Sequence, residues 1–268
     1  MPRLAVLADV HLSTPGDQFP GQDLSYTPGL VRKAAAMLEK DRPDRLMVAG
    51  DLTNFGTPAE YALARGIFGG RLSDALIVAG NHEMVRAGLD DFERETNQPP
   101  AELTEWASLP VLKLNTAVDR QDPHYWFGRL DEASLSLLND VPTTGPLIVV
   151  LHHPLPGTVR TDNGHPMMTA INGERLRDQL QLRDGPTVVF SGHVHLPDVQ
   201  RRGRVTYVSC PPLSFYPHAY LLADVDETHL SITTRHLDLE ESPDASATAN
   251  AYRRHREVPV PSLTVRLR

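Results

Sequence analysis

An α/β fold is predicted by three features of this 268-residue chain. Short apolar runs alternate with helix-patterned segments through the first two-thirds. Five of those runs end directly in polar motifs rich in Asp, Asn and His, and the last third keeps the apolar runs but loses the helical patterns between them. Strand–helix alternation builds parallel sheet, and strands that follow one another without helices add antiparallel sheet.

Residues 3–8 form a continuous apolar run, as expected of a strand buried on both faces. Pro28 to Lys40 reads as a helix, with Pro28 in its first turn and Leu30, Val31, Ala34, Ala35 and Leu38 recurring at helical spacing. Arg42-Pro43-Asp44 ends it, and Arg45 to Ala49 is the next strand. Thr57, as N-cap ahead of Pro58 and Glu60, opens a helix that runs to Phe68, and Asp74 to Ala79 is a third strand. Residues 84–110 are polar and broken by Pro99-Pro100, which predicts a loop with a short helix. Val111 to Val118 and His124 to Leu130 predict two antiparallel strands around Asp119–Pro123. Leu130 to Leu138 reads as a helix started by Asp131 and Glu132. Leu147 to Leu151 and Thr187 to Phe190 are buried-type strands, each leading into a histidine motif. Val205 to Ser209, Tyr220 to Val225 and Leu230 to Arg235 then predict a switch to antiparallel sheet. From Leu239 the chain turns acidic, then small and low in complexity, with Pro259 and Pro261 near its end. Residues 1–238 are expected to form one domain, and 239–268 a tail that is extended or docks on the domain or on a partner subunit.

The five polar motifs are Asp9-Val10-His11, Gly50-Asp51-Leu52-Thr53-Asn54, Gly80-Asn81-His82-Glu83, His152-His153-Pro154 and Gly192-His193-Val194-His195. A strand that ends in a polar turn delivers those side chains to one rim of a sheet, where α/β proteins place their ligands. Carboxylate, carboxamide and imidazole donors without sulfur suit Mn, Fe, Zn or Co rather than a structural zinc. Asp9/His11 and His193/His195 are i, i+2 pairs, which point to one side of an extended segment. Two metals about 3.5–4 Å apart suit displacement at phosphorus, each stabilising a different oxygen. One carboxylate usually bridges such a pair, and Asp51 is the natural candidate.

Composition bounds the partners. With 40% hydrophobic and 22% charged residues the chain is globular rather than disordered. Its net charge of −8 and pI near 5.8 argue against a nucleic-acid binder that works by neutralising phosphates. No stretch approaches the apolar length of a membrane span, and the run at residues 4–8 is too short for a signal peptide. A single Cys210 fits a reducing compartment, so the cytoplasm is expected. The state of oligomerisation stays open, a homo-oligomer included.

The five motifs, in this order, resemble the calcineurin-like metallophosphoesterase superfamily, whose pattern is D-x-H, G-D-x-x-[DN], G-N-H-[DE], a single H, and G-H-x-H. The matching elements span residues 9–195. The resemblance implies a four-layer α/β/β/α sandwich with mixed sheets. It also implies that Asp9, His11, Asp51 and His195 hold one metal and that Asp51, Asn81, His152 and His193 hold the other. His82 would contact the phosphate or protonate the leaving group. Within the superfamily, Gly50 to Gly56, Pro58-Ala59-Glu60-Tyr61 and the two histidine motifs most resemble class III cyclic-nucleotide phosphodiesterases and bacterial glycerophosphodiesterases. The implied activity is hydrolysis of a small phosphodiester, with a water or hydroxide held between two divalent metals as the nucleophile. The alternatives are a phosphomonoesterase of the same superfamily and a non-catalytic phospho-ligand-binding scaffold.

Other residues carry weaker signals. His153 reads as a support or packing residue, Phe55 and Tyr61 as helix packing, and Cys210 as part of a turn near the rim. Arg160 and His165 lie in a loop that could wall the substrate but read as ordinary loop residues. His124, His218, His229, His236 and His255 read as surface or structural.

Overall fold

The computed structural model describes residues 1–16, 23–160, 169–240, 243 and 262–267. Among these residues twelve strands form two six-stranded sheets. The first contains β1 (Arg3–Leu7), β2 (Arg45–Val48), β3 (Leu76–Ile77), β10 (Ala219–Val225), β11 (His229–His236) and β12 (Leu263–Arg266), in the order β12-β11-β10-β1-β2-β3. The second contains β4 (Glu102–Trp106), β5 (Leu109–Lys113), β6 (Leu147–Val150), β7 (Thr187–Ser191), β8 (Asp198–Arg202) and β9 (Val205–Ser209), in the order β4-β5-β6-β7-β9-β8. In the first sheet β1, β2 and β3 pair in parallel and β10, β11 and β12 add antiparallel strands beside β1; in the second the pairs from β5 to β9 are parallel and the two margins antiparallel.

Strand periodicity makes the layers. In β1, Leu4 and Val6 join Val150, Val188, Phe190 and Val208 in the core between the sheets. Ala5 and Leu7 point the other way, onto Leu30, Val31, Ala34 and Leu38 of α1 (Thr27–Asp41) and Tyr61 and Phe68 of α2 (Pro58–Phe68). On the outer face of the second sheet, Leu147 and Val149 meet Leu135 of α5 (Glu132–Ser136) and Leu176 and Leu180 of α6 (Gly173–Gln181). The result is the α/β/β/α sandwich with mixed sheets. Two shorter helices, α3 (Gly70–Ser73) and α4 (Leu89–Thr96), link its strands. Among the described residues no helix is long and apolar enough to cross a membrane.

Several elements differ from their sequence reading. The strand expected over Asp74 to Ala79 is only two residues long, because residues 70–73 take a helical turn first. Within the expected loop at 84–110 lies β4, paired with β5 through a tight turn in which Ala107 and Ser108 both have positive φ, 52° and 61°. Such two-residue turns are signalled by Asn-Gly or Asp-Gly, and Ala-Ser hides this one. The expected strand over His124 to Leu130 is absent, and the strand at Val111 ends at Lys113. There the Asp119 and Asp122 carboxylates accept from the backbone N–H groups of Gln121 (3.1 Å) and His124 (2.8 Å), turning the chain instead. The last third is antiparallel in β10, β11 and β12, but β9 also pairs in parallel with β7. Within the expected tail, Leu263–Arg266 joins the first sheet against β11, while residues 244–261, His255 included, lie outside the described residues.

Candidate metal centre

Parallel strands end on one side, so the five motifs leave both sheets at a common rim. Backbone hydrogen bonds lock the first two together. Val10 and His11 both donate their N–H groups to the Asp51 carbonyl at 2.8 and 2.9 Å, and Asp9 donates to that of Gly50 at 3.2 Å. The second sheet is tied in by the His193 N–H, which donates to Asp9 Oδ1 at 2.8 Å.

The backbone at these points is left-handed: φ is 50° at Asp9, 43° at His11, 52° at Asp51, 70° at His193 and 52° at His195. A residue carrying a Cβ costs roughly 1–2 kcal/mol in that region. This corrects the expectation that the i, i+2 pairs are aimed by an extended segment. Left-handed turns, not strand pleating, direct both pairs inward.

All seven predicted ligand residues meet in one cluster. His11 Nε2 lies 3.2 Å from His195 Nε2 and 3.6 Å from Asp51 Oδ2, and His195 Nε2 lies 3.4 Å from Asp9 Oδ1. On the other side, His152 Nε2 lies 3.2 Å from the same Asp51 Oδ2 and 3.1 Å from Asn81 Oδ1. That carboxamide oxygen is also 3.0 Å from His193 Nδ1. Asp51 Oδ1 is held separately, accepting from the His82 N–H at 2.9 Å. Among the described residues, the groups close enough to hold a metal ion are Asp9/His11/His195, His11/Asp51/His82, Asp9/Asp51/His152 and His152/His153/His193.

Hydrogen bonding sets the histidine tautomers. His152 Nδ1 lies 2.9 Å from the Ala49 carbonyl, which can only accept, so Nδ1 carries a hydrogen and Nε2 is the nitrogen turned to the cluster. His82 Nδ1 lies 3.0 Å from both the carbonyl and the side-chain oxygen of Asn54, giving its ring the same tautomer. Asn54, the last residue of the Asp51 motif, thus orients the histidine of the next.

Charge follows from burial and pairing. Burial alone would raise Asp51, but the imidazoles of His152 and His82 outweigh it and hold the carboxyl well below its usual range. Asp9 is also lowered: burial opposes this, and His195 overrides it. Burial disfavours a charged His152, yet Asp51 pushes that imidazole up to about 9. Burial drives His11 well below its ordinary value, with His82 adding repulsion, and lowers His82 too. Protons and cations therefore compete for the same nitrogens, and acid opposes metal binding here.

The sequence motif names Glu83 but gives it no role. Its carboxylate is fully buried and accepts four hydrogen bonds: from Thr53 N (2.8 Å), Thr53 Oγ1 (3.0 Å), Asp51 N (3.1 Å) and Gly80 N (2.7 Å). It clamps the two loops that present Asp51 and Asn81. Burial, then the Asp51 charge, raises it to about 7. The signal in the sequence was its place as the acidic last letter of the G-N-H-[DE] motif. Glu83→Gln places an amide where backbone N–H groups need an acceptor. Metal affinity, read by titration of the stripped protein, is expected to fall by about 10- to 100-fold; unchanged affinity would mean that the clamp does not position Asp51.

The remaining candidates are placed as follows. His153 is buried, with Nδ1 2.9 Å from Thr116 Oγ1, and approaches His152 and His193 closely enough to share a metal-competent group with them. Tyr61 packs in the helical core, and Phe55 carries the Arg86 guanidinium 4.1 Å above its ring. Cys210 is buried beside Ser191, and burial raises its thiol. Arg160 pairs with Asp198 at 3.3 Å, and His165 lies outside the described residues. His218 is buried, with Nδ1 3.1 Å from the Leu213 carbonyl. His124 and His236 are exposed and His229 partly so. Phe215, which no motif flagged, stacks on His195 at 4.4 Å and meets His11 edge-on at 5.1 Å.

Three comparisons bear on this cluster. The sequence model of the calcineurin-like phosphoesterase family matches residues 2–197. A protein of Synechococcus named a probable cyclic nucleotide phosphodiesterase is 27% identical over 80% of this chain and 79% of its own length. A glycerophosphodiester phosphodiesterase of Enterobacter lignolyticus is 27% identical over 64% of this chain, which spans 63% of that protein. Among solved structures, a dimetal phosphatase from Danio rerio superposes with a TM-score of 0.69 at 14% identity, covering 100% of this chain and 99% of its own, a likeness of fold.

Proposed function

As a member of the calcineurin-like phosphoesterase family, this chain is a phosphoester hydrolase, and we propose that it cleaves a small phosphodiester using two divalent metal ions. The carrying observation is that Asp51 Oδ2 faces donors on both sides, 3.6 Å from His11 Nε2 and 3.2 Å from His152 Nε2. The fit of such ions rests on the donor set and on Asp9 Oδ2, which is buried and has no hydrogen-bond partner in the structure. Asp9, His11, Asp51 and His195 would hold one ion, and Asp51, Asn81, His152 and His193 the other. Mn, Fe, Zn and Co all suit these donors. When bound, such a pair supplies Lewis-acid charge stabilisation and lowers the pKa of a water molecule.

The chain's own residues do the rest. Water oxygen bonds to phosphorus, the bond from phosphorus to the ester oxygen breaks, and the departing alkoxide needs a proton. His82 is assigned to that oxygen, either as the proton donor when charged or as a contact to the phosphate. Burial lowers its pKa, so proton donation weakens as pH rises through that lowered value. The phosphodiesterase names of the relatives favour a diester over a monoester.

The test is hydrolysis of bis(p-nitrophenyl) phosphate by protein stripped with chelator and reloaded with single metals. Activity is expected to return with Mn, Co or Zn, and Asn81→Ala to lose more than about 100-fold, beyond the effect usual for a residue that only supports a ligand. An Asn81→Ala protein with wild-type activity would overturn the metal assignment.

A further inference from the structure

The rim beside His82 carries a partly exposed indole. Trp126 stands edge-on to the His82 ring, with centroids 6.3 Å apart and planes at 67°. Its neighbour Tyr125 is buried and donates its hydroxyl hydrogen to the Asn81 carbonyl at 2.6 Å, tying this loop to the backbone of the donor cluster. The loop is stiff. Beyond its two Asp-centred turns, Arg129 N–H donates to the Thr116 carbonyl at 2.9 Å and the Arg129 guanidinium pairs with Asp122 at 3.0 Å. Trp126 meets Tyr125 edge-on at 4.8 Å, and the Arg120 guanidinium stacks 4.6 Å over Tyr125 and 6.0 Å from the indole.

We propose that Trp126 is a stacking platform for the base of a nucleotide diester, and so the residue that selects nucleotides among small diesters. The inference rests on the hydrolytic reading above. An aromatic face held rigidly next to a phosphoester site suits a π-faced group, and nucleobases stack on such side chains with little regard to sequence. A glycerol or ethanolamine group offers no such face. A quaternary ammonium group would also seek aromatic rings, but Arg120 already brings a cation to this pair. The platform lies on the His82 side, so the nucleoside carries the departing oxygen, with the base one ribose away. For a cyclic nucleotide, water oxygen bonds to phosphorus, the bond from phosphorus to a ribose oxygen breaks, that oxygen takes a proton, and the product is a nucleoside monophosphate.

Two measurements test this. In steady-state kinetics, Trp126→Ala is expected to raise KM for 3′,5′-cyclic AMP by roughly 5- to 150-fold more than for glycerophosphoethanolamine, the span of one base–aromatic stack, and Trp126→Phe to restore most of the difference. Equal losses on both substrates would overturn the proposal. In binding, only Trp106 and Trp126 fluoresce as tryptophans, so 5′-AMP added to metal-loaded Trp106→Phe protein should quench the remaining emission saturably. Absence of quenching overturns the platform whatever the activity. Quenching without hydrolysis of any diester leaves the platform standing and overturns the phosphodiesterase reading instead.

Discussion

Asp51→Asn is expected to reduce metal-dependent hydrolysis of bis(p-nitrophenyl) phosphate by more than about 1,000-fold. Changes behind a metal ligand already cost 10- to 100-fold, and this one removes a negative oxygen shared by two sets of donors. Shape is conserved: the carboxamide keeps an oxygen to accept from the His82 N–H at 2.9 Å. What changes is the other atom, which becomes an amide nitrogen or a neutral oxygen facing His11 and His152. Neither replaces a carboxylate between two cations. The check pairs kinetics with metal content of the dialysed protein, and circular dichroism should match the wild type. An Asp51→Asn protein that retains two metal equivalents and activity within about tenfold of wild type would refute the bridging role.

A second large effect is expected at a residue that supplies no donor. Gly50 has φ +90°, and a Cβ there would collide with the His152 imidazole. Gly50→Ala therefore combines left-handed backbone strain of about 1–2 kcal/mol with overpacking of about 1–3 kcal/mol. A drop in Tm of roughly 4–20 °C follows for a chain of this size, and His152 must shift, which weakens metal binding as well. Differential scanning calorimetry with and without added metal measures both. A Gly50→Ala protein that melts with the wild type would show that the loop yields easily and that the close approach is not a constraint.

The parts of the fold that rest on periodicity were readable from the residues. Leu4, Val6 and Ala8 against Ala5 and Leu7, and the Thr57–Glu60 capping box of α2, carry their geometry in their order. The β4–β5 hairpin was not readable, because Ala107 and Ser108 adopt positive φ under tertiary pressure rather than by their own preference. The segment after Lys113 misled for the opposite reason: Asp119 and Asp122 satisfy local N–H groups and win over a strand pattern. In the candidate site, the residue types and order of the motifs marked which side chains meet. The supports were invisible, since Glu83 acts by accepting backbone N–H groups from a loop about 30 residues away in sequence. Trp126 and Phe215 reach the rim only through the fold, by way of turns that no motif announces.

The five left-handed positions at the candidate site also limit what a motif can be used for. The strings D-x-H and G-H-x-H name the donors but do not aim them; backbone hand does, held at the first by the bonds from Val10 and His11 to the Asp51 carbonyl and at the second by the His193 N–H on Asp9 Oδ1. Grafting the same letters onto a straight strand of another scaffold would set each pair on one face, roughly 7 Å apart along the strand, with no turn to converge them. The transferable unit is the crossed pair of loops, and a designer would have to carry both strand ends together.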